Sequence, residues 1–341
     1  MSQNRQNILV IRNDKLGDFM LAWPALALLR RNLPQARIAV LVPEYTAPLA
    51  RICPSVDEVI VDPRLGGEWK NGNALAALLK PQRFDAVITL FSRFDTGLAV
   101  WRAGIPYRHA PATKLAQIFY NRRSSQRRSL SEKPEYEYNL DLVRRFLAEQ
   151  GVAPVQPVEA PYLKFDAADT ESLKAAFLKE HGIANRSKLV FVHAGHGGSA
   201  ANLSLEQYAE LMSRLHETDA YQAVLTAGPG EEKAAVRLTE MLRIPRTLYI
   251  SKQGLVEFAK HLAFADLFIS GSTGPLHLAA ALDRPTAAFY PRRRSSTPLR
   301  WQTANHEDRR LAFTPPGEAG ESDMSKVDLQ AAAAAIAARF F

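Results

Sequence analysis

Cysteine is almost absent from this chain of 341 residues, whose only thiol is Cys53. An intramolecular disulfide is therefore impossible, and a zinc site built from several thiolates is excluded. No apolar stretch approaches the roughly 20 residues that a membrane-spanning helix needs. The first residues lead directly into a strand-like run, so we expect no signal peptide. These absences favour a protein of the cytoplasm.

Several catalytic signatures are missing as well. The chain contains no Gly-x-Ser-x-Gly elbow, no Gly-x-x-x-x-Gly-Lys-[Ser/Thr] phosphate loop and no His-Glu-x-x-His metal helix. His193 and His196 stand close together in the sequence, but no third ligand of a suitable type accompanies them. We therefore expect neither a bound metal nor a tightly held cofactor.

Basic residues exceed acidic ones, since 43 Lys and Arg against 35 Asp and Glu give a formal net charge of +8. Such an excess favours anionic partners, such as phosphorylated substrates, an anionic membrane face or nucleic acid, although it also serves solubility alone. The basic residues are interleaved with few aromatic ones and match no nucleic-acid motif, so we expect no nucleic-acid partner.

Short β-rich runs alternate with helical patterns, which predicts an α/β protein with parallel sheets. A proline-rich, aperiodic stretch near residues 150–161 indicates a linker between two doubly wound, Rossmann-like domains. We predict domains at 1–155 and 156–325, and a C-terminal helix in 326–341 that packs back on the first domain. The predicted strands are Ile8–Arg12, Arg37–Val42, Glu58–Asp62, Asp85–Leu90, Lys188–Ala194, Gln222–Gly228, Thr247–Ser251, Asp266–Gly271 and Thr286–Pro291.

Two helix starts carry specific signals. The apolar helix predicted over Phe19–Asn32 contains Pro24, which should kink it or lie near its first turn. Ser204 and Gln207 have the spacing of a capping box, which predicts that a helix begins directly after Ser204.

Ligands of parallel α/β sheets bind beyond the carboxyl ends of the strands, so the loops there are the candidate sites. The first such loop, Asn13–Asp18, contains Lys15 and ends in Asp18 at a helix start. Asp18 either caps that helix or projects a carboxylate that acts as a general base.

Two further loops are rich in glycine. In His193–Asn202, the residues Gly195, Gly198 and Ser199 can bring backbone N–H groups towards an anion. In Ala227–Lys233, Gly228 ends a strand, and Glu231 and Glu232 open a helix. That loop is either an ordinary turn, or one of its carboxylates accepts hydrogen bonds from a ribose.

The most specific segment is Ile269–Leu282, in which a strand runs into Ser272, Thr273, Gly274 and a proline-started helix. The free N–H groups of such a helix start, together with two hydroxyls, form a phosphate site, and the alternative is a tight packing turn. His277, one turn into the helix, lines this site or is simply buried.

Taken together, ILVIRNDKLGDFMLAWPALALL, HAGHGGSAANLSLEQYAEL and GSTGPLHLAAAL resemble, in order and spacing, segments of the ADP-heptose:lipopolysaccharide heptosyltransferases, glycosyltransferase family 9. The resemblance implies a GT-B fold, in which two Rossmann-like domains face a central cleft. It also implies inverting, metal-independent transfer from ADP-heptose, held by the C-terminal half, to an acceptor held mainly by the N-terminal half. Asp18 is then the base, and Thr273 and Gly274 hold the diphosphate.

Two departures from the family pattern are visible. Some members have Asp-Thr-Gly where this chain has Ser272–Thr273–Gly274. Relatives often carry a lysine that neutralises the diphosphate, whereas the corresponding stretch Ala201–Ser204 has no cation. Arg12, Lys15 and the cluster Arg292–Arg294 are the candidates to replace it.

A basic segment, Tyr107–Lys133, is predicted to be rich in loops. It is either a solvated insertion, or it binds the phosphorylated head of a lipid-linked saccharide at the cytoplasmic membrane face. With Arg12 and Lys15, its candidate anion-binding residues are Arg122, Arg123, Arg127 and Arg128.

The leading hypothesis is thus heptosyl transfer from ADP-heptose to a lipopolysaccharide inner-core acceptor. Two alternatives remain at this point. One is a glycosyltransferase or epimerase that uses another nucleotide sugar, since fold alone does not fix the reaction. The other is a non-catalytic, anion-binding protein of the same fold, which the missing cation at Ala201 favours.

Overall fold

The computed structural model describes residues 6–113, 115–195 and 201–341. Their contacts divide them into two compact units, one of residues up to 128 with 132–162, the other of 129–131 with 163–341. The main division lies after Tyr162 and not at 155, because the linker is bound to the first unit. The Gln156 N–H donates to Asn32 Oδ1 (2.8 Å), and Asn32 Nδ2 donates to the Gln156 carbonyl (3.0 Å).

The first unit contains a six-stranded sheet with the order β3-β2-β1-β4-β5-β6, in which every pairing is parallel. Its strands are β1 Asn7–Ile11, β2 Arg37–Pro43, β3 Glu58–Asp62, β4 Ala86–Thr89, β5 Tyr107–Pro111 and β6 Arg122–Ser124. Its helices are α1 Leu16–Met20, α2 Trp23–Asn32, α3 Ala47–Arg51, α4 Glu68–Leu79, α5 Phe94–Arg102 and α6 Glu135–Glu149.

The second unit repeats this design, with a parallel sheet in the order β12-β11-β10-β7-β8-β9. Its strands are β7 Leu189–His193, β8 Gln222–Ala227, β9 Arg246–Ile250, β10 Leu267–Gly271, β11 Thr286–Phe289 and β12 Arg310–Phe313. Its helices are α7 Ala167–Glu180, α8 Leu205–Thr218, α9 Glu232–Met241, α10 Leu255–Leu262, α11 Gly274–Ala281 and α12 Leu329–Phe340.

Both sheets have the strand order of a doubly wound, dinucleotide-binding fold, so the predicted α/β class is confirmed. The order reverses between β1 and β4 in the first sheet, and between β7 and β10 in the second. Loops that leave neighbouring strands in opposite directions open a crevice at such a point. The loops after these four strands are therefore where ligand sites are expected.

All nine predicted strands are present, but β5, β6 and β12 were not predicted. The predicted loop-rich insertion at 107–133 is wrong, because β5 and β6 extend the first sheet there. The reason is composition. In β5 the buried residues are His109, Ala110 and Pro111, and β6 is a short edge strand with exposed arginines, so neither shows an apolar run.

The helix signals are largely confirmed. The predicted apolar helix is broken into α1 and α2, and Pro24 lies in the first turn of α2. At the start of α8, Ser204 Oγ accepts from the Gln207 N–H (3.2 Å), and Gln207 Oε1 accepts from the Ser204 N–H (3.1 Å). This is the predicted capping box.

The C-terminal helix α12, predicted to pack on the first domain, packs on α8 and belongs to the second unit. Its buried face of Ala332, Ala333 and Ile336 belongs to the second unit's core. An alanine-rich face permits close helix approach but does not itself specify which helix is the partner, and therefore the sequence left this open. No helix among the described residues is long and apolar enough to cross a membrane.

Candidate active site

Asp18 lies in the first turn of α1, directly beyond the carboxyl end of β1, at the point where the first sheet's strand order reverses. The N-cap of α1 is Lys15, and no side chain caps that helix, so Asp18 is not the capping residue. Its carboxylate is instead paired with the guanidinium of Arg12, the residue that follows β1. The structure therefore favours the second interpretation of Asp18, a carboxylate presented at the carboxyl edge of the sheet.

Arg12 is buried, with 2% of its surface exposed, and contacts three carboxylates. Besides Asp18, it pairs through Nε with Asp14 Oδ1 (2.9 Å) and through Nη1 with Glu135 Oε1 (3.0 Å). The guanidinium also lies 5.8 Å from the ring centroid of Phe91, after β4. A buried arginine is stable only when its charge is compensated, and here the carboxylates raise its pKa although burial alone would lower it.

Helix α6 supplies the far side of this cluster. Glu135 Oε1 accepts from Arg12 and from Arg128 Nη1 (2.6 Å), so one buried carboxylate joins two arginines. Asn139, one turn further along α6, accepts from Arg12 Nη1 through Oδ1 (3.3 Å) and donates through Nδ2 to the Leu21 carbonyl (3.0 Å). The position of Arg12 is therefore fixed from both β1 and α6.

The pKa of the Asp18 carboxyl is raised to about 6, because burial removes water from the charged form. Arg12 opposes this shift, while the negative charges of Asp14 and Glu135 add to it. A carboxylate with a pKa near 6 is ionised at neutral pH and is more basic than an ordinary aspartate. This is the protonation behaviour that general-base chemistry requires.

The arginines predicted to bind an anionic acceptor do not form one group. Arg12 and Arg128 are both paired with Glu135 of this cluster. Arg122 is exposed but pairs with Glu149 (3.2 Å), and Arg123 and Arg127 are exposed elsewhere on the first unit. Lys15 is exposed at the N-terminus of α1, close in sequence to Asp18.

In the second unit, β10 ends at Gly271 and α11 begins at Gly274, with Thr273 as its N-cap. The Thr273 hydroxyl does not cap the helix, since it is hydrogen-bonded to Ser270 Oγ (2.9 Å) within the described residues. Ser272 and Gly274 are partly exposed. The N-terminus of α11 thus presents backbone N–H groups at the second sheet's reversal point, where an anion is stabilised.

His277 lies in α11 and is almost fully buried. Burial lowers the pKa of its imidazole to about 4, so the ring is neutral at physiological pH. Among the residues that the structure describes, Nδ1 has no hydrogen-bond partner, and the nearest aromatic neighbour is Trp301, 6.5 Å away between ring centroids.

Glu231 turns back from the start of α9 towards the loop after β7. Its Oε2 accepts from the Gly228 N–H (3.1 Å) and lies 3.2 Å from His193 Nε2. A Cβ atom on Gly195 would overlap the Glu231 carboxylate, so only glycine leaves room for it. The structure therefore brings together the predicted residues Gly195, Gly228 and Glu231, whereas Glu232 is simply the first residue of α9.

Both ring nitrogens of His193 contact polar groups. The Thr226 hydroxyl donates to the Val192 carbonyl (3.2 Å) and also shares a hydrogen bond with His193 Nδ1 (3.0 Å). Nε2 of the same ring faces Glu231 Oε2. The sequence analysis considered His193 only as a metal ligand and did not include Thr226, because a histidine at a strand end carries no specific signal.

The cation-free stretch before α8 is tied to β10. Asn202 Oδ1 accepts from the Tyr208 hydroxyl (2.8 Å), and its Nδ2 donates to the Ala194 carbonyl (3.2 Å). A Cβ on Gly271 would overlap the Asn202 amide. The predicted site residues Gly198 and Ser199 lie outside the described residues.

Of the cations proposed to replace the family's lysine, Arg12 is occupied by carboxylates. Arg292 donates to the carbonyls of Pro316 (2.9 Å) and Gly317 (2.6 Å). Arg293 and Arg294 are exposed in the loop that follows β11, at the carboxyl edge of the second sheet. They remain the candidates in the second unit. No group of three or more His, Cys, Asp or Glu suited to a metal occurs within 6–113, 115–195 and 201–341.

Comparisons with known proteins agree with this geometry. The family model for glycosyltransferase family 9 (heptosyltransferase) matches residues 73–320. A Haemophilus influenzae protein, whose name gives glycosyl transfer as a provisional activity and specifies no sugar, is 47% identical over 97% of this chain and 96% of its own length. Lipopolysaccharide heptosyltransferase 2 of Escherichia coli is 27% identical over 83% of this chain and 82% of its own.

The structural comparison concerns the fold. The E. coli ADP-heptose lps heptosyltransferase II superposes with a TM-score of 0.76 at 22% identity, covering 98% of each chain. The GT-B fold expected from the sequence is thereby confirmed. Because the family model covers well over half of the sequence, and a relative of 47% identity spans almost all of it, this chain is a glycosyltransferase and belongs to glycosyltransferase family 9.

Proposed function

We propose that this enzyme transfers a heptosyl group from ADP-heptose to a lipopolysaccharide inner-core acceptor with inversion and without a metal, and that Asp18 is the general base. Membership of family 9 and similarity to a lipopolysaccharide heptosyltransferase support the substrate class. The observation that carries the role of Asp18 is its placement beyond β1, against a buried arginine, with a pKa of about 6.

The proposed reaction is a single displacement at the anomeric carbon. An acceptor hydroxyl loses its proton to a carboxylate oxygen of Asp18, and the hydroxyl oxygen forms a bond to the anomeric carbon. The bond between that carbon and the diphosphate oxygen breaks, and its electron pair leaves with ADP. Attack opposite the leaving group inverts the configuration. The developing negative charge on the diphosphate requires donors that are already oriented.

The second unit offers such donors in its described residues. The backbone N–H groups at the start of α11 suit a phosphate oxygen, and this helix starts at the reversal point between β7 and β10. Glu231 is the acceptor suited to ribose hydroxyls, because its carboxylate is oriented by the Gly228 N–H and by His193. We infer that the adenosine diphosphate binds here through these two elements.

Calorimetric titration of the purified protein with ADP, UDP, GDP and CMP, each without metal, tests the donor assignment. We expect ADP to bind best, and Thr273→Val to weaken it about tenfold, because the Thr273 hydroxyl can accept from Ser270 Oγ and donate to the diphosphate. Thr239→Val is the matched control, since that hydroxyl only donates to the Ala235 carbonyl within α9.

The outcomes discriminate between the hypotheses. Selective ADP binding, followed by mass-spectrometric detection of a heptosylated core acceptor, supports the proposal. Preference for another nucleotide retains the glycosyltransferase but rejects ADP-heptose as donor. Binding of ADP without any product from a panel of inner-core acceptors would reject the acceptor assignment.

Gly195→Ala is expected to raise the dissociation constant for ADP about tenfold while leaving the fold intact. The added methyl group overlaps the Glu231 carboxylate, which is the end of a flexible side chain and can move away. Loss of an oriented acceptor costs about 1–1.5 kcal/mol of binding free energy. Gly317→Ala is the control, because no atom lies within 4 Å of its Cβ position. Unchanged ADP affinity in Gly195→Ala would show that Glu231 does not contact the ligand.

A further inference from the structure

Seven large apolar side chains of the first unit are exposed among the described residues, and four of them, the two tryptophans with Leu115 and Ile118, lie in elements that pack on one another. Leu115 is 81% exposed, Ile118 68%, Trp69 58% and Trp101 53%. Leu115 and Ile118 belong to the 3₁₀ turn that follows β5, while Trp69 lies in the first turn of α4 and Trp101 near the end of α5. Scattered apolar residues are normal on protein surfaces, so their grouping is what must be established.

Ring contacts join these residues into one surface. Trp69 lies 5.3 Å from Phe94, Phe94 lies 5.3 Å from Phe119, and Phe119 lies 6.1 Å from Trp101, measured between ring centroids. Phe119 ends the 3₁₀ turn that carries Leu115 and Ile118. We call this surface the aromatic face and define it by Trp69, Trp101, Leu115 and Ile118.

The aromatic face is packed on the helix beneath it. A Cβ atom on Gly97 of α5 would lie 2.8 Å from Phe119 Cδ2, so the 3₁₀ turn approaches α5 as closely as glycine allows. Phe119 thus anchors this turn on α5. Leu115 and Ile118 of the same turn are left exposed, although burial of their side chains would be favourable.

Basic residues predominate in the sequence segment that carries most of the aromatic face. The Arg102 guanidinium lies 5.6 Å from the centroid of the Trp69 ring, and Arg123 and Arg127 are exposed in the segment that follows the 3₁₀ turn. Residues 91–128 contain a single acidic residue, Asp95, and that carboxylate is buried and paired with Arg93. The basic residues of the same segment are Arg93, Arg102, Arg108, Lys114, Arg122, Arg123, Arg127 and Arg128.

The aromatic face also extends to the carboxyl edge of the first sheet. Trp69 follows β3 and its ring partner Phe94 follows β4, so both lie at the carboxyl edge, where Asp18 follows β1. Exposed tryptophans with neighbouring arginines suit the boundary between headgroups and acyl chains, where an amphipathic ring and a phosphate are both available.

We propose that the aromatic face docks on an anionic lipid bilayer, with Leu115 and Ile118 inserted among the acyl chains and the neighbouring arginines against lipid phosphates. This goes beyond the transfer reaction and does not depend on which sugar or acceptor is used. Apolar side chains that project separately fit a fluid surface, which closes around each of them, and the excess of cations fits anionic headgroups.

Co-sedimentation of the full chain with vesicles of phosphatidylethanolamine and phosphatidylglycerol tests this. The double variant Leu115→Ser/Ile118→Ser should lower the partition coefficient about tenfold or more, since two apolar side chains no longer enter the bilayer. Val236→Ser/Leu299→Ser is the matched control, because it removes the two large exposed apolar side chains of the second unit among the described residues. Arg123→Gln/Arg127→Gln should also weaken binding about tenfold, and phosphatidylcholine vesicles should bind poorly.

Circular dichroism and ADP titration establish that each variant is folded. The proposal is overturned if the unmodified protein does not bind anionic vesicles, or if the two serine double variants bind equally well. It is also overturned if Leu115→Ser/Ile118→Ser changes the sedimentation coefficient of the free protein and leaves vesicle binding unaltered. In that case the aromatic face joins two copies of this chain.

Discussion

Asp18→Asn should slow glycosyl transfer by about 10²- to 10⁴-fold, the range associated with removal of a positioned general base. Asparagine keeps the size of the side chain and can still accept from Arg12, but it cannot take a proton from the acceptor hydroxyl. Binding of ADP should be unchanged, because the proposed nucleotide residues all lie in the second unit. Steady-state rates with saturating donor measure the effect, and Asp141→Asn is the control, since Asp141 pairs only with the half-exposed Lys133 and Arg144.

The pH profile gives a second readout of the same group. With a pKa of about 6, Asp18 is protonated at low pH, so the rate should rise about tenfold per pH unit up to pH 6 and then level off. A profile without a break in this region, together with a near-normal rate for Asp18→Asn, would assign the base to another residue.

The contribution of Asp18 to the free energy of unfolding should fall as the pH rises, whereas the reaction rate should increase. The folded-state pKa of Asp18 exceeds the value of 3.8 for a free aspartate, so its protonated form favours folding below about pH 4. That contribution is lost as the pH rises through about 6. Asp18→Asn does not titrate, and it should therefore gain stability relative to the unmodified protein between pH 4 and pH 7.

Arg12→Met should lower the free energy of unfolding of the first unit by about 3–5 kcal/mol, the effect of removing one partner from a buried ion cluster. Methionine fills much of the same apolar volume, but Asp14 and Asp18 then lose the counter-charge that they share with Glu135, which keeps Arg128. Guanidinium unfolding followed by tryptophan fluorescence measures the loss. The loss should shrink below about pH 6, where the protonated Asp18 carboxyl needs no cation.

Arg30→Met is the matched control for this experiment. Arg30 pairs with Asp57, and both side chains retain partial contact with solvent, so we expect a loss of about 1 kcal/mol or less. Equal losses in the two variants would contradict the assignment of Arg12 as the charge that stabilises the Asp18 cluster.

The elements with strong local signals were predictable from the sequence. Buried parallel strands appear as apolar runs, and the capping box at Ser204 and Gln207 fixed the start of α8. The position of Asp18 also followed, because a loop after the first strand of such a sheet has a known place. Its environment did not follow. Glu135 lies 123 residues from Arg12, and nothing in the local sequence relates the two.

Other features were hidden because the determining contacts are long-range. Arg12 was interpreted as a free cation, since an arginine that will be buried looks the same in sequence as one that will be exposed. Strand β5 was missed because a buried histidine replaces an apolar residue there. The choice of Glu231 over Glu232 depends on the space that Gly195 leaves, which only the folded loop defines.

The break between α1 and α2 has a consequence for attempts to stabilise this enzyme by sequence optimisation. Pro24 prevents a continuous helix, and the Leu21 carbonyl at the break accepts from Asn139, which in turn accepts from Arg12. Replacing Pro24 by a strong helix former would be classed as favourable on propensity alone. In a continuous helix the Leu21 carbonyl would accept from a backbone N–H of the next turn and would no longer be available to Asn139. The gain in local helicity would therefore weaken the hydrogen bonds that hold Arg12 beside Asp18.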